Sequence, residues 1–296
     1  MNSYLKKFIL FIRFDLRLST NTVLSYQNDL QKYLSFLKNT KNINDIKLIT
    51  YDYIRSYVSY LSKENQKPSS INRNISSIKK FHLYLFDNEL TLNNPSELLE
   101  SQKNIRNLPD ILSVQEIEII LGSVKIDTNI GVRDLAILSL LYSSGIRVSE
   151  LINLEFSNIF LDEEYIKILG KGKKERLVPI GLKAKVNLIN YIKKHRKSTL
   201  PISSKGCIFL SYRSKPMTRM AVFNLIKKYS TIAGIRKKVS PHTFRHSFAT
   251  HMLEGGADLR IVQEILGHEN INTTEIYTHL DRTYLKEVHK LCHPRG

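Results

Sequence analysis

Over the first hundred residues the apolar positions return every three or four places, a spacing that one face of a helix satisfies and a strand does not. Val23, Tyr26, Leu30, Tyr33, Leu34 and Leu37 show it best, and the pattern predicts amphipathic helices over about Tyr4–Leu16, Thr20–Leu37, Tyr51–Ser62 and Ser69–Asp87. Ser19 or Thr20 suits the N-cap of the second helix, and Pro68 with two serines behind it announces the fourth. A short helix is expected after Asn94-Pro95. Residues 101–110 then lose the period, carry Lys103 and Arg106 and contain Pro109. At 296 residues the chain is near the size at which a single core divides. The expected organisation is therefore a helical domain over 1–100, a linker over 101–110 and a second domain over 111–296.

The second part opens with helices expected at about Ser113–Leu121 and Val132–Tyr142, and then its period changes. Tyr165–Leu169 and Glu175–Ile180 read as short strands joined through Gly170-Lys171-Gly172-Lys173-Lys174, a turn of glycine and lysine. Cys207–Leu210 suggests a third strand. Helical spacing resumes over about Lys183–His195, Arg219–Ala233, Thr243–Leu253, Leu259–Leu266 and Thr283–Leu291. The fold class expected is mainly α, with a small antiparallel β-sheet inside a mostly helical C-terminal domain.

Charge narrows the function. Lys and Arg number 45 against 27 Asp and Glu, a formal net charge of +18. Between Tyr165 and Arg245 there are 21 basic residues and one acid, Glu175, so this segment alone carries +20 and the other 215 residues carry −2. Such clustering is the footprint of phosphate contacts. Either side of residue 107 the net charge is positive, +7 before and +11 after, which suggests a two-domain clamp on one polyanion. A membrane partner is disfavoured, since no apolar run approaches the roughly 20 residues of a spanning helix. Lys6 and Lys7 before Phe8–Ile12 imitate a signal peptide, but Arg13 and Asp15 interrupt it, so export is not expected. Two cysteines, Cys207 and Cys292, make no disulfide framework, which points to a reducing cytoplasm.

Four places in the sequence bear chemistry. Arg147 has Glu150 one helical turn on, which reads equally as a surface ion pair. Lys171 sits between glycines, as a solvated turn or as a long side chain set to protonate a leaving oxygen. Pro241-His242-Thr243-Phe244-Arg245-His246 opens a helix whose positive end welcomes an anion, with His242 and Arg245 on one face. His242 and His246 have the i, i+4 spacing of zinc ligands, but Thr243 stands where the metalloprotease glutamate would be. Last come Leu266-Gly267-His268 and, nine residues beyond His268, Tyr277. One tyrosine among 15 is ordinarily packing or surface.

Taken together these residues suit attack on a DNA phosphodiester. Without a metal, the charge that grows on the non-bridging oxygens needs fixed cationic donors, and Arg147 and Arg245 supply planar, permanently charged ones. His242 and His268 can hydrogen-bond or move a proton near neutral pH. A tyrosine phenolate is a nucleophile and also a tolerable leaving group, so a sugar hydroxyl can reverse the attack with no ATP.

In order, Ser144-Gly145-Ile146-Arg147-Val148-Ser149-Glu150-Leu151, Gly170-Lys171-Gly172-Lys173, His242-Thr243-Phe244-Arg245-His246, Leu266-Gly267-His268 and Thr273 to His279 make the chain resemble the tyrosine recombinases, the phage-integrase-like family, and within it the bacterial Xer recombinases. The resemblance spans nearly the whole chain. It implies Arg147 and Arg245 on the phosphate, Lys171 as general acid, His242 as acid-base group, His268 as phosphate donor, Tyr277 as nucleophile and Glu150 as organiser of Arg147. It implies an N-terminal core-binding domain, a C-terminal catalytic domain and no cofactor, metal or ATP. A 3′-phosphotyrosine, a Holliday junction and a tetramer on two double-stranded DNA sites follow from it, with a paralogous recombinase as possible co-subunit and a DNA translocase as possible activator. Its biological purpose stays open between resolving chromosome or plasmid dimers, integrating a mobile element and inverting a segment. A DNA-binding protein with an idle site is the alternative of another class. By the same resemblance, the helix near the C-terminus docks on a neighbouring subunit. Taken alone, it reads as a terminal helix on its own domain. Arg219, opening a helix in the basic region, is expected to touch DNA, as are Lys173 and Lys174.

Neutralising Lys173 and Lys174 together is expected to weaken binding to every duplex and to flatten the slope of log affinity against log salt, measured by fluorescence anisotropy between 50 and 200 mM salt. Loss confined to one cognate sequence would instead make these lysines base readers.

Overall fold

The computed structural model describes residues 1–102, 110–170, 175–196, 206–267 and 279–296. It divides into two compact units, Met1–Asn107 and Leu108–Gly296, and among the described residues it is mainly helical with a small sheet. The expected linker lies largely outside the described residues.

Unit 1 is built on helices α1 (Asn2–Phe14), α2 (Thr20–Lys41), α3 (Tyr51–Lys63) and α4 (Pro68–Asp87). Their apolar faces meet in one core of Phe8, Ile12, Leu30, Tyr33, Leu37, Ile54, Tyr57, Ile78 and Phe81, all buried. Ser19 caps α2 by accepting from the Thr22 amide at 3.2 Å, and Pro68 occupies the first turn of α4. Asp29, buried inside this unit, is held by two bonds from the Arg73 guanidinium at 2.8 and 2.9 Å. The short helix expected after Asn94-Pro95 is a turn. The Asn94 side chain accepts from the Ser96 amide at 3.1 Å and its hydroxyl at 2.8 Å, a local bond that competes with helix formation.

Unit 2 contains α5 (Val114–Gly122), α6 (Asn129–Ser144) and α7 (Val148–Ile152), then strands β1 (Ile159–Phe160), β2 (Tyr165–Leu169) and β3 (Glu175–Pro179). Helices α8 (Leu182–Asn190), α9 (Arg219–Ile232), α10 (Pro241–Glu254), α11 (Leu259–Leu266) and α12 (His279–Cys292) complete it. The middle of the core is α6, whose residues from Ala136 to Ser144 are all buried. The sheet is antiparallel in the order β1-β2-β3, with Ile166 opposite Val178 and Ile168 opposite Arg176 on its buried face.

Its third strand is therefore β1, and Cys207–Leu210 corrects the expectation. That segment makes only isolated bridges, Cys207 to Glu155 and Leu210 to Pro216. The Cys207 and Ile208 carbonyls, which a ladder would have used, are taken by side chains. Arg196 donates to Cys207 and Ile208 at 2.9 and 3.0 Å, and the Tyr191 hydroxyl donates to Ile208 at 3.2 Å.

In this single chain α12 packs on α10 and β3 of its own unit. Leu285, His289 and His293 are buried there. His289 bonds through Nε2 to the Ser143 carbonyl at 2.7 Å and stacks on His293 at a centroid distance of 4.9 Å. Burial pushes the His289 imidazole down to about 4 and, with the His289 charge, the His293 imidazole down to about 2. Below the ordinary histidine value near 6.5 the unfolded chain takes up protons that these folded side chains refuse, so stability falls with pH from there toward 4. Each histidine contributes a loss of about 1.4 kcal/mol per pH unit in that window. The urea midpoint should drop between pH 7.5 and 5.5, and His289→Phe should be less stable at pH 7.5 but less sensitive to the change.

Candidate active site

Two glycine-terminated helices bring the candidate residues together. α6 ends at Gly145, in the left-handed region at φ 58°, and its amide bonds back to Leu141. A Cβ there would lie 2.4 Å from the Phe248 ring, so both the turn and the packing exclude any larger residue. The chain reverses at once, and Arg147 becomes the residue that precedes α7. Its amide donates to Glu150 Oε2 at 2.8 Å, closing the first turn of that helix. α11, which begins on an Asp258 cap bonded to the Arg260 amide at 2.7 Å, ends at Gly267 at φ 69°.

The last carbonyls of a helix have no partner within it, and they sit at its negative end. At α11 three successive carbonyls each receive a different guanidinium. Arg176 Nε donates to Ile265 at 2.9 Å, Arg245 Nη2 to Leu266 at 2.7 Å and Arg147 Nη2 to Gly267 at 3.1 Å. Arg245 Nη1 also reaches the Gly145 carbonyl at 2.7 Å, joining the two helix ends.

One carboxylate completes the cluster. Glu150 accepts from Arg147 Nη1 at 3.0 Å and from Arg176 Nη1 and Nη2 at 2.9 and 2.7 Å. Its side chain is 8% exposed and that of Arg176 7%, whereas that of Arg147 is 41% exposed. Burial alone would raise the Glu150 carboxyl, but the Arg176 and Arg147 bonds bring it below the ordinary value. Burial, then the charge of Arg147, pushes Arg245 down to about 10, with Glu150 opposing and Arg176 adding to the shift. At neutral pH Arg245 remains a cation. Within this cluster three positive charges face one negative one.

His242 lies exposed at the second position of α10, one turn before Arg245. Ser240 and Thr243 exchange bonds at that helix start, the Thr243 amide donating to Ser240 Oγ at 3.3 Å and the Ser240 amide to Thr243 Oγ1 at 3.2 Å. Arg219 is exposed at the first position of α9, whose cap is Thr218. Lys171, Lys173, Lys174, His268 and Tyr277 lie outside the described residues. The flanks of those segments are described: β2 and β3 on either side of the lysines, and α11 and α12 on either side of His268 and Tyr277.

Arg176 was not among the residues singled out from sequence, although strand alternation contains the signal. With Val178 facing inward, Arg176 two positions earlier must face inward too, and a buried guanidinium needs a partner.

Residues 110–283 match the phage integrase family, and residues 5–89 match the phage integrase N-terminal SAM-like domain. The chain is a tyrosine recombinase of the phage integrase family. It is 42% identical over 295 residues to tyrosine recombinase XerD of Chlorobaculum tepidum, covering 99% of this chain and 96% of that one. To tyrosine recombinase XerD of Staphylococcus aureus it is 38% identical over the full length of both. Among solved structures, the XerA recombinase is 31% identical, with a TM-score of 0.51 and coverage of 100% and 99% of the two chains. A lambda integrase dimer on a core site shares the fold, with a TM-score of 0.70 over 100% of this chain and 97% of that one, at 15% identity. The recombinase's activity is thus site-specific DNA recombination.

Glu150→Gln should destabilise the recombinase by about 3 kcal/mol, because it leaves the Arg176 guanidinium buried beside a neutral amide. Adding Arg176→Met should recover part of the loss, since removing both charges is less costly than removing one. Urea unfolding of the two variants checks this.

Proposed function

We propose that this recombinase cleaves DNA by attack of the Tyr277 phenol oxygen on a phosphodiester held by Arg147 and Arg245. A bond forms between phosphorus and the tyrosine oxygen, the bond to the 5′ oxygen breaks, and Lys171 supplies the proton that oxygen needs to leave. His242 and His268 hydrogen-bond the phosphate and move the tyrosine proton. Attack by a 5′ hydroxyl from another strand reverses each step and rejoins the DNA, so the bond energy is held in the 3′-phosphotyrosine throughout.

The observation that carries this reading is the arginine cluster at the end of α11. Arg147 and Arg245 are fixed by carbonyls before any ligand arrives, and the cluster keeps more positive than negative charge. Such preorganisation is what a phosphoryl transition state rewards. The segment holding His268 and Tyr277 begins at the next residue. Arg219, Lys173 and Lys174 contact the duplex outside the reacting phosphate, and both units, each positive overall, bind it.

The physiological task we assign is resolution of chromosome or plasmid dimers by a tetramer on two sites in the cytoplasm, with a paralogous recombinase as co-subunit and a DNA translocase as activator. Supporting it is the full-length match to proteins named XerD.

Incubated in EDTA with a nicked duplex carrying its chromosomal site, the protein should form a denaturant-stable covalent band. Tyr277→Phe should bind the same duplex within about twofold and form none. A band that survives this substitution would overturn the assignment.

A further inference from the structure

We propose that Arg176 is a positioning residue for the phosphate-binding arginines, a role that rests on the strand-transfer reading above. Arg176 does not present itself to a ligand. It is 7% exposed, and its Nε, Nη1 and Nη2 are engaged by Ile265 and by both oxygens of Glu150.

What it holds is the frame of the site. Glu150 Oε1 accepts from Nη1 of both Arg147 and Arg176, and Oε2 accepts from Arg176 Nη2 and the Arg147 amide. Arg176 supplies two of the four hydrogen bonds on this carboxylate, and Arg147 donates to the same two oxygens, so the rotamer that orients Arg147 is set jointly with Arg176. The stem of Arg176 also lies against Gly267, where an added Cβ would come within 3.0 Å of its Cδ. The Gly267 carbonyl is the other anchor of Arg147. Both contacts that aim Arg147 thus pass through Arg176.

Arg176 is also the second residue of β3, opposite Ile168 of β2, in the strand pair that flanks the segment containing Lys171. One side chain ties that strand pair to the end of α11 and to the start of α7. A buried ion pair gives little net stability compared with an apolar pair of the same shape. Its use here is registry: it sets β3, the start of α7 with Arg147 and the end of α11 in one frame.

The test compares cleavage of a nicked duplex bearing an ordinary scissile phosphate with one bearing a methylphosphonate there, which carries one negative charge fewer for the arginines to stabilise. Arg176→Lys keeps a cation but loses the fork. Its adduct-forming rate on the phosphate should fall at least tenfold, with duplex affinity within twofold of the parent. On the methylphosphonate the fall should be at least fivefold smaller. The ratio of the two rates in one preparation is independent of how much protein is folded, so a loss of stability cannot imitate the result. Equal losses on both substrates, or no loss on either, would overturn the role of Arg176 alone. If the parent protein forms no adduct that depends on Tyr277, the strand-transfer reading fails and this inference with it.

Discussion

Everything in the candidate site depends on one carboxylate surrounded by guanidinium groups at the negative end of a helix. Three arginines within hydrogen-bond reach of one another's partners repel, and in a half-buried place that repulsion is poorly screened. Glu150 offsets one charge. The carbonyls of Ile265, Leu266 and Gly267 supply directed dipoles for the others. The cluster is thereby stable without being neutral, which is the condition for binding an anionic transition state strongly.

That arrangement explains why two glycines stand where they do. Gly145 and Gly267 each end a helix in the left-handed conformation, and each exposes carbonyls that an arginine from elsewhere in the fold can reach. With a side chain at Gly145 the Phe248 ring would have to move, and Phe248 belongs to the core that seats α10 and hence Arg245. Helix ends, core packing and phosphate chemistry are in this way parts of one constraint.

Much of the fold was legible in local sequence. The four helices of unit 1 follow their apolar spacing, and the starts of the second and fourth follow Ser19 and Pro68. The β2 and β3 pair follows the alternation on either side of the glycine- and lysine-rich segment. Two expectations failed for the same reason. At Asn94 and at Cys207–Leu210 the backbone groups found side-chain partners instead of their own ladder or helix, and those partners, such as Arg196 and Tyr191, come from elsewhere in the chain in the second case.

For the site, local spacing sets Arg147 with Glu150 and His242 with Arg245 as pairs one helical turn apart, and the family resemblance supplies the roles expected of them. For Arg176 the alternation of β3 implies burial, but its partners appear only in three dimensions. Its importance comes from meeting Glu150 of α7 and Ile265 at the end of α11, partners 26 and 89 positions away. Local sequence dictates which elements form and where they stop, because caps, turns and periodicity act within a few residues. Which guanidinium meets which carbonyl is decided by packing between distant elements, and that is a property of the folded chain alone.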